Sequence, residues 1–266
     1  MAESHRGHES HRGKAARERV ADARDAATQR VSDARDAAAQ HIADARASAA
    51  EFVARQKPRL RGVSHQWAFF ASLVAGAGLV LAAPTPRATI AVAIYATSLS
   101  ALLGVSALYH RVNWVRPTAR RWMRRLDHSM IFLLIAGTVT PFCLLVLTGP
   151  LAAALLIAVW AGAAAGIVVE LIWVEAPKWV TTIVYLGVGW IGALGFPAIV
   201  VAAGVGAGAL IAIGGILYTA GALVYARQRP DPRPATFGYH EIFHVLVIAA
   251  AVAHFAAIAL YALPAG

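Results

Sequence analysis

His240 and His244 stand four residues apart in His240-Glu241-Ile242-Phe243-His244, at the head of the last apolar run of the chain. On an α-helix such a pair shares one face, with Cβ atoms roughly 5–6 Å apart. Two imidazoles so placed can bind one metal ion. The stretch that follows, Val245 to Leu263, is almost unbroken hydrocarbon. Histidines where a membrane helix begins are costly without a partner, so they mark a site. Other ionisable residues within or at the ends of apolar runs include His110, Asp127, His128, Glu170, Glu241 and His254. Which of them can meet the pair depends on how the chain crosses the bilayer.

The chain has 266 residues, of which 59% are hydrophobic, and a mean hydropathy of +0.59. That is too apolar for a soluble domain and points to an all-α, polytopic membrane protein. Seven apolar runs are read at about 65–83, 88–110, 127–148, 150–173, 179–202, 204–226 and 240–263. Each is near the roughly 20 residues that cross a bilayer. Trp67 anchors the short first run, and Gly204, Gly206 and Gly208 leave a soft boundary between the fifth and sixth. No cleavable signal peptide is expected, because the first apolar run begins only near Trp67. The formal net charge of +10 lies mostly outside the runs. Beside membrane spans it suits an anionic leaflet and membrane lipids as partners rather than nucleic acid. The single Cys143 lies inside an apolar run, where it reads as filler.

Loop charge orients the bundle. Arg111, Arg116, Arg120, Arg121, Arg124 and Arg125 lie between spans two and three, Arg227, Arg229 and Arg233 between six and seven, and Lys178 after span four. The alternate loops hold only Arg87. The positive-inside rule then places the N-terminus in the cytoplasm and the C-terminus outside. His110 ends an inward span, Asp127 begins an outward one, and His240 and His244 begin another. All four therefore lie near the cytoplasmic face.

Three imidazoles with one open position form the arrangement of a catalytic Zn²⁺ site, whereas a closed structural site needs a fourth protein ligand. Asp127 is either that ligand or a neighbour that orients a histidine or accepts a proton from water. Ser106 lies one turn deeper than His110 on the same face and can hydrogen-bond a ligand or a water. His128 points about 100° away from Asp127, which suits interface packing. Glu170 is read as interfacial. His254 lies about 20 Å along the helix from His240, too deep for the same metal but able to line a cavity. Glu241 faces away from the pair, toward the basic inner loops.

The N-terminal region divides in two. Residues 1–14 form a His-rich tail, read as disordered, though such tracts can bind metal. Residues 15–57 carry a helix with three eleven-residue repeats, ADARDAATQRV, SDARDAAAQHI and ADARASAAEFV. At about 3.67 residues per turn, Val20, Val31, Ile42 and Val53 form a nearly straight stripe. Such a helix lies on a surface or makes a homo-oligomer, or it is a solvated extension.

Ser106-Ala-Leu-Tyr-His110, Leu126-Asp127-His128-Ser129 with IFLLIAGTVTPF after it, and HEIFHVLVIAAAVAHF from His240 together resemble the haemolysin III family of bacterial membrane proteins. This is a branch of the progestin and adipoQ receptor family, which includes the adiponectin receptors and is similar to the alkaline ceramidases. The resemblance covers about residues 60–263 of a membrane domain read at 60–266. It implies seven transmembrane helices in the bacterial plasma membrane. It also implies a Zn²⁺ held by His110, His240 and His244, with Asp127 and Ser106 beside it. Val139 departs from related sequences, which often carry Tyr there. For function the resemblance implies hydrolysis of lipid amides or esters, the alternatives being a pore-forming haemolysin or a non-catalytic sensor with structural zinc.

Overall fold

The computed structural model describes residues 24, 27–46 and 58–266. The chain divides into two units, Met1–Lys57 and Pro58–Gly266. In the first, residues 27–46 form helix α1, with every residue exposed, including Val31 and Ile42 of the expected stripe. Ala-rich sequence without Pro or Gly favours this helix. Its repeat is visible in hydrogen bonding. The Gln29 amide donates to Asp33 at 2.8 Å, and eleven residues on Gln40 donates to Asp44 at 3.0 Å. The 1–14 tail, Val20 and Val53 lie outside the described residues.

The second unit is a helical bundle with no strand among the described residues. Its elements are α2 (Val63–Leu81), α3 (Pro86–Arg111), α4 (Pro117–Pro141), α5 (Gly149–Ile172), α6 (Lys178–Ala193), α7 (Phe196–Ala203), α8 (Val205–Arg227) and α9 (Tyr239–Ala257). Local sequence sets several ends. Thr85 caps α3 by accepting the Ala88 N–H at 3.1 Å, and Pro86 fills the first helical position. Pro141 removes a donor near the end of α4, and the chain continues through a π-helical turn at Phe142–Val146. α9 passes into a similar turn at Ile258–Ala262.

α2, α3, α4 with its π-turn, α5, α8 and α9 with its extension are each long and apolar enough to cross a membrane. The fifth expected span is broken: α6 and α7 meet at a 41° bend. Pro197 explains the break, since its ring would clash with the Ala193 carbonyl in a continuous helix. Counted as one crossing, the bent pair makes the seventh. The soft boundary after it falls at Gly204, between α7 and α8.

α2 packs along α3, α3 along α4, α4 along α5, and α8 along α9. α4 is the most deeply buried span, followed by α3. Tyr95 ties α3 to α9 by donating to the Ala251 carbonyl at 3.3 Å. Exposed Trp67, Trp122, Trp173 and Trp179 all sit at one end, where α2, α4 and α6 begin and α5 finishes. Tryptophan favours the membrane–water boundary. That end also holds the Arg-rich first turns of α4, so most of the expected loop between spans two and three is helix.

Candidate metal centre

His110 is the second-last residue of α3, and His240 and His244 occupy the first two turns of α9. Their ligand atoms all lie within 4.8 Å of one another, and His110 and His244 are buried. The Nε2 atoms of His110 and His240 are 3.1 Å apart. Nitrogens around a tetrahedral zinc at about 2.0–2.1 Å sit roughly 3.3 Å from each other, so the His110–His240 pair matches the spacing such an ion requires. The Nδ1 of His244 is buried without a hydrogen-bond partner, a cost that ligation or water would remove. These residues can hold a metal ion. Imidazole donors alone suit zinc, copper, iron and nickel alike.

Asp127 enters from α4, with Oδ2 3.7 Å from His110 Nε2. Ser106, buried one turn deeper on α3, lies beside the Asp127 carboxyl. Ser106, His110, Asp127, His240 and His244 are thus brought to one place from three helices.

H-E-x-x-H on a helix is the spacing of zinc proteases, where the Glu serves as general base. Here Glu241 is turned the other way. Its Oε2 accepts the Gly238 N–H at 2.8 Å, tying off the start of α9, and its Oε1 is paired with Arg61. The basic partner is therefore Arg61, two residues before α2, rather than a residue of a loop between spans. With Glu241 committed, Asp127 is the carboxylate beside the histidines.

Three residues escape the sequence reading. His65 in α2 is buried and stacks flat on His244, with ring centroids 3.8 Å apart at 11°. Arg61 holds Glu241. Gly62 has φ +77°, and a Cβ there would fall 2.7 Å from the Cβ of His110. Only glycine lets the chain turn so close to this histidine. The available clue was a histidine in the first turn of an apolar run, the same clue His110 gives at the end of the next.

Glu170, expected at the interface, is instead buried at 1% exposure. It meets His128 Nδ1 at 3.1 Å and accepts from the Tyr185 hydroxyl at 3.0 Å. His128 therefore turns away from the histidine cluster, as its helical angle requires, but toward a buried partner. His254 stands deeper, with its ring against Tyr218 and Nε2 3.2 Å from the Ile211 carbonyl oxygen. A cavity of about 740 Å³ connects these positions, lined by Ser106, Asp127, His240 and His244 at one end and by His254 farther in. Most of its wall is hydrocarbon from α4, α6 and α8.

The family model for haemolysin-III related proteins matches residues 53–255. The chain belongs to the haemolysin III family. Hemolysin-3 of Bacillus cereus is 34% identical over 181 residues, covering 68% of this chain and 78% of the relative. A hemolysin-3 homolog of Bacillus subtilis is 31% identical over 168 residues, covering 63% and 75%. The human monocyte to macrophage differentiation factor is 30% identical over 173 residues, covering 63% and 68%. The family match spans the helices that build the histidine cluster and leaves out all of α1.

Proposed function

We propose that this haemolysin III protein is a zinc-dependent hydrolase of lipid amides or esters, working near the cytoplasmic face of the bacterial plasma membrane. The observation that carries the reading is a carboxylate beside a three-histidine cluster at the polar end of an apolar cavity. When bound, zinc supplies Lewis acidity and a water whose pKa falls to about 7. Asp127 accepts a proton from the attacking water. The Ser106 hydroxyl donates a hydrogen bond to that water or to the substrate carbonyl as negative charge grows on its oxygen. The hydrocarbon wall accepts an acyl chain. Trp190 and Ile216 line the cavity and are 62% and 68% exposed, which favours lateral entry between α6 and α8.

The arginines that crowd the site end of α4 and the loop before α9 support a cytoplasmic placement of the site. A pore, the reading that the hemolysin name of the relatives carries, would need a hydrated stripe along the spans. The wall beyond the histidines favours hydrocarbon instead. The test is turnover of long-chain N-acyl amides and acyl esters by zinc-loaded protein in nanodiscs. The expected result is hydrolysis that Asp127→Asn removes while zinc is retained. Absence of any turnover, under conditions where a control membrane amidase works, overturns the reading.

A further inference from the structure

A second cluster lies on the other side of α4. Glu170 is two residues from the end of α5, and both its oxygens are engaged, Oε2 by His128 and Oε1 by Tyr185. A carboxylate in a membrane bundle is costly unless paired and hydrogen-bonded, so this one marks a built site. Tyr185 is itself held by a tilted ring contact with Phe132, at 4.8 Å between centroids, and Phe132 fills the space that a side chain on Gly166 would need. His128 keeps 12% exposure, and both His128 and Tyr185 line the cavity that holds Asp127. With Nδ1 directed at Glu170, the nitrogen left for the cavity is Nε2. A carboxylate that fixes one ring nitrogen so that the other can exchange a proton is the arrangement that orients a general acid–base histidine.

We propose that His128, oriented by Glu170 and Tyr185, is the proton donor to the leaving group in this cavity, a task separate from that of Asp127. The proposal rests on the hydrolase reading. Amide hydrolysis needs two proton transfers, and an amine leaves poorly unless it is protonated. Asp127, beside His110, is placed for the first transfer, and His128 for the second. Adjacent residues on α4 point about 100° apart, so one turn serves both sides of a bound acyl group.

In the step, water forms a C–O bond to the carbonyl carbon and gives one proton to Asp127. The C–N bond breaks with its electron pair going to nitrogen, which takes the Nε2 proton of the His128 imidazolium. Glu170 balances the imidazolium charge before transfer. Asp127 then loses its proton to solvent and His128 regains one. The net change is amide plus water to acid plus amine.

The test compares two substrates with the same acyl chain, an alkyl amide and an activated aryl ester whose phenolate leaves without a proton. His128→Gln and Glu170→Gln are assayed with zinc content and thermal unfolding measured alongside. The expected loss is about 10²-fold in kcat on the amide and less than about threefold on the aryl ester. Equal losses on both substrates overturn the proposal while the hydrolase reading stands. No turnover of either by the unmutated protein overturns the hydrolase reading itself. A readout free of substrate tests the geometry: ¹⁵N-histidine NMR should find His128 Nδ1 protonated, with its signal shifted in Glu170→Gln. An unprotonated Nδ1 overturns the orientation on which the donor role depends.

Discussion

Asp127 and His128 are neighbours on α4 and serve different clusters. Asp127 faces His110, His240 and His244, where ring nitrogens converge on one point. His128 faces Glu170 and Tyr185, where one carboxylate takes two donors. The first cluster brings three imidazole nitrogens within 4.8 Å of one another, a donor set that can hold a cation. The second matches each acceptor to a donor and needs no ion. Residue type alone does not separate the two, since each has histidine and a carboxylate. The partners across the helix interface do.

The two clusters are not separate if a histidine of the second controls metal. His244→Ala should abolish stoichiometric metal binding, whereas His128→Ala should leave it intact, both read by competition with a chromogenic chelator. Metal loss in both variants would merge the clusters into one site.

Arg61→Ala should act next, on stability rather than metal chemistry. It strands the buried Glu241 carboxylate without its cation, at a cost of about 3–5 kcal/mol. Thermal unfolding in detergent reads the shift. An unchanged midpoint would mean that Glu241 finds another partner and that α2 and α9 are not joined through this pair.

His65→Ala removes the ring that stacks on His244 and should weaken metal binding by roughly 10–100-fold, as loss of ligand-supporting contacts does elsewhere. His65→Phe keeps the flat face and should restore most of the affinity. If neither variant changes the dissociation constant, the stack contributes packing alone. Ile42→Ala, on the exposed α1 stripe, should change stability of the bundle by less than about 0.5 kcal/mol and leave metal affinity unaltered. Sedimentation of the same variant reads whether the stripe joins copies of the chain.

Much of the membrane architecture is legible because hydropathy and helix length are local properties. Runs of hydrocarbon and the arginines that separate them can be read one segment at a time. The bend at Pro197 is equally local, yet a hydropathy window passes over it, since proline and alanine barely change the mean. The histidine cluster is legible because His240 and His244 share a helix face and His110 ends its run at the same level. Glu170 is not, because its burial depends on His128 and Tyr185 from two other helices, and a lone acid near a helix end looks the same whether it is wet or paired. His65 is missed for a related reason: its value lies in a ring stack with a residue 179 positions away, which no local pattern encodes. Glu241 is read correctly as facing away from the histidine pair, but its partner Arg61 comes from the chain before α2.

The most direct test of the three-histidine centre is X-ray absorption at the zinc edge on the unmutated, detergent-purified protein. The expected result is about one zinc per chain with three imidazole donors at roughly 2.0–2.1 Å. A protein that holds no stoichiometric metal after zinc is supplied, or whose spectrum lacks imidazole scattering, would contradict it.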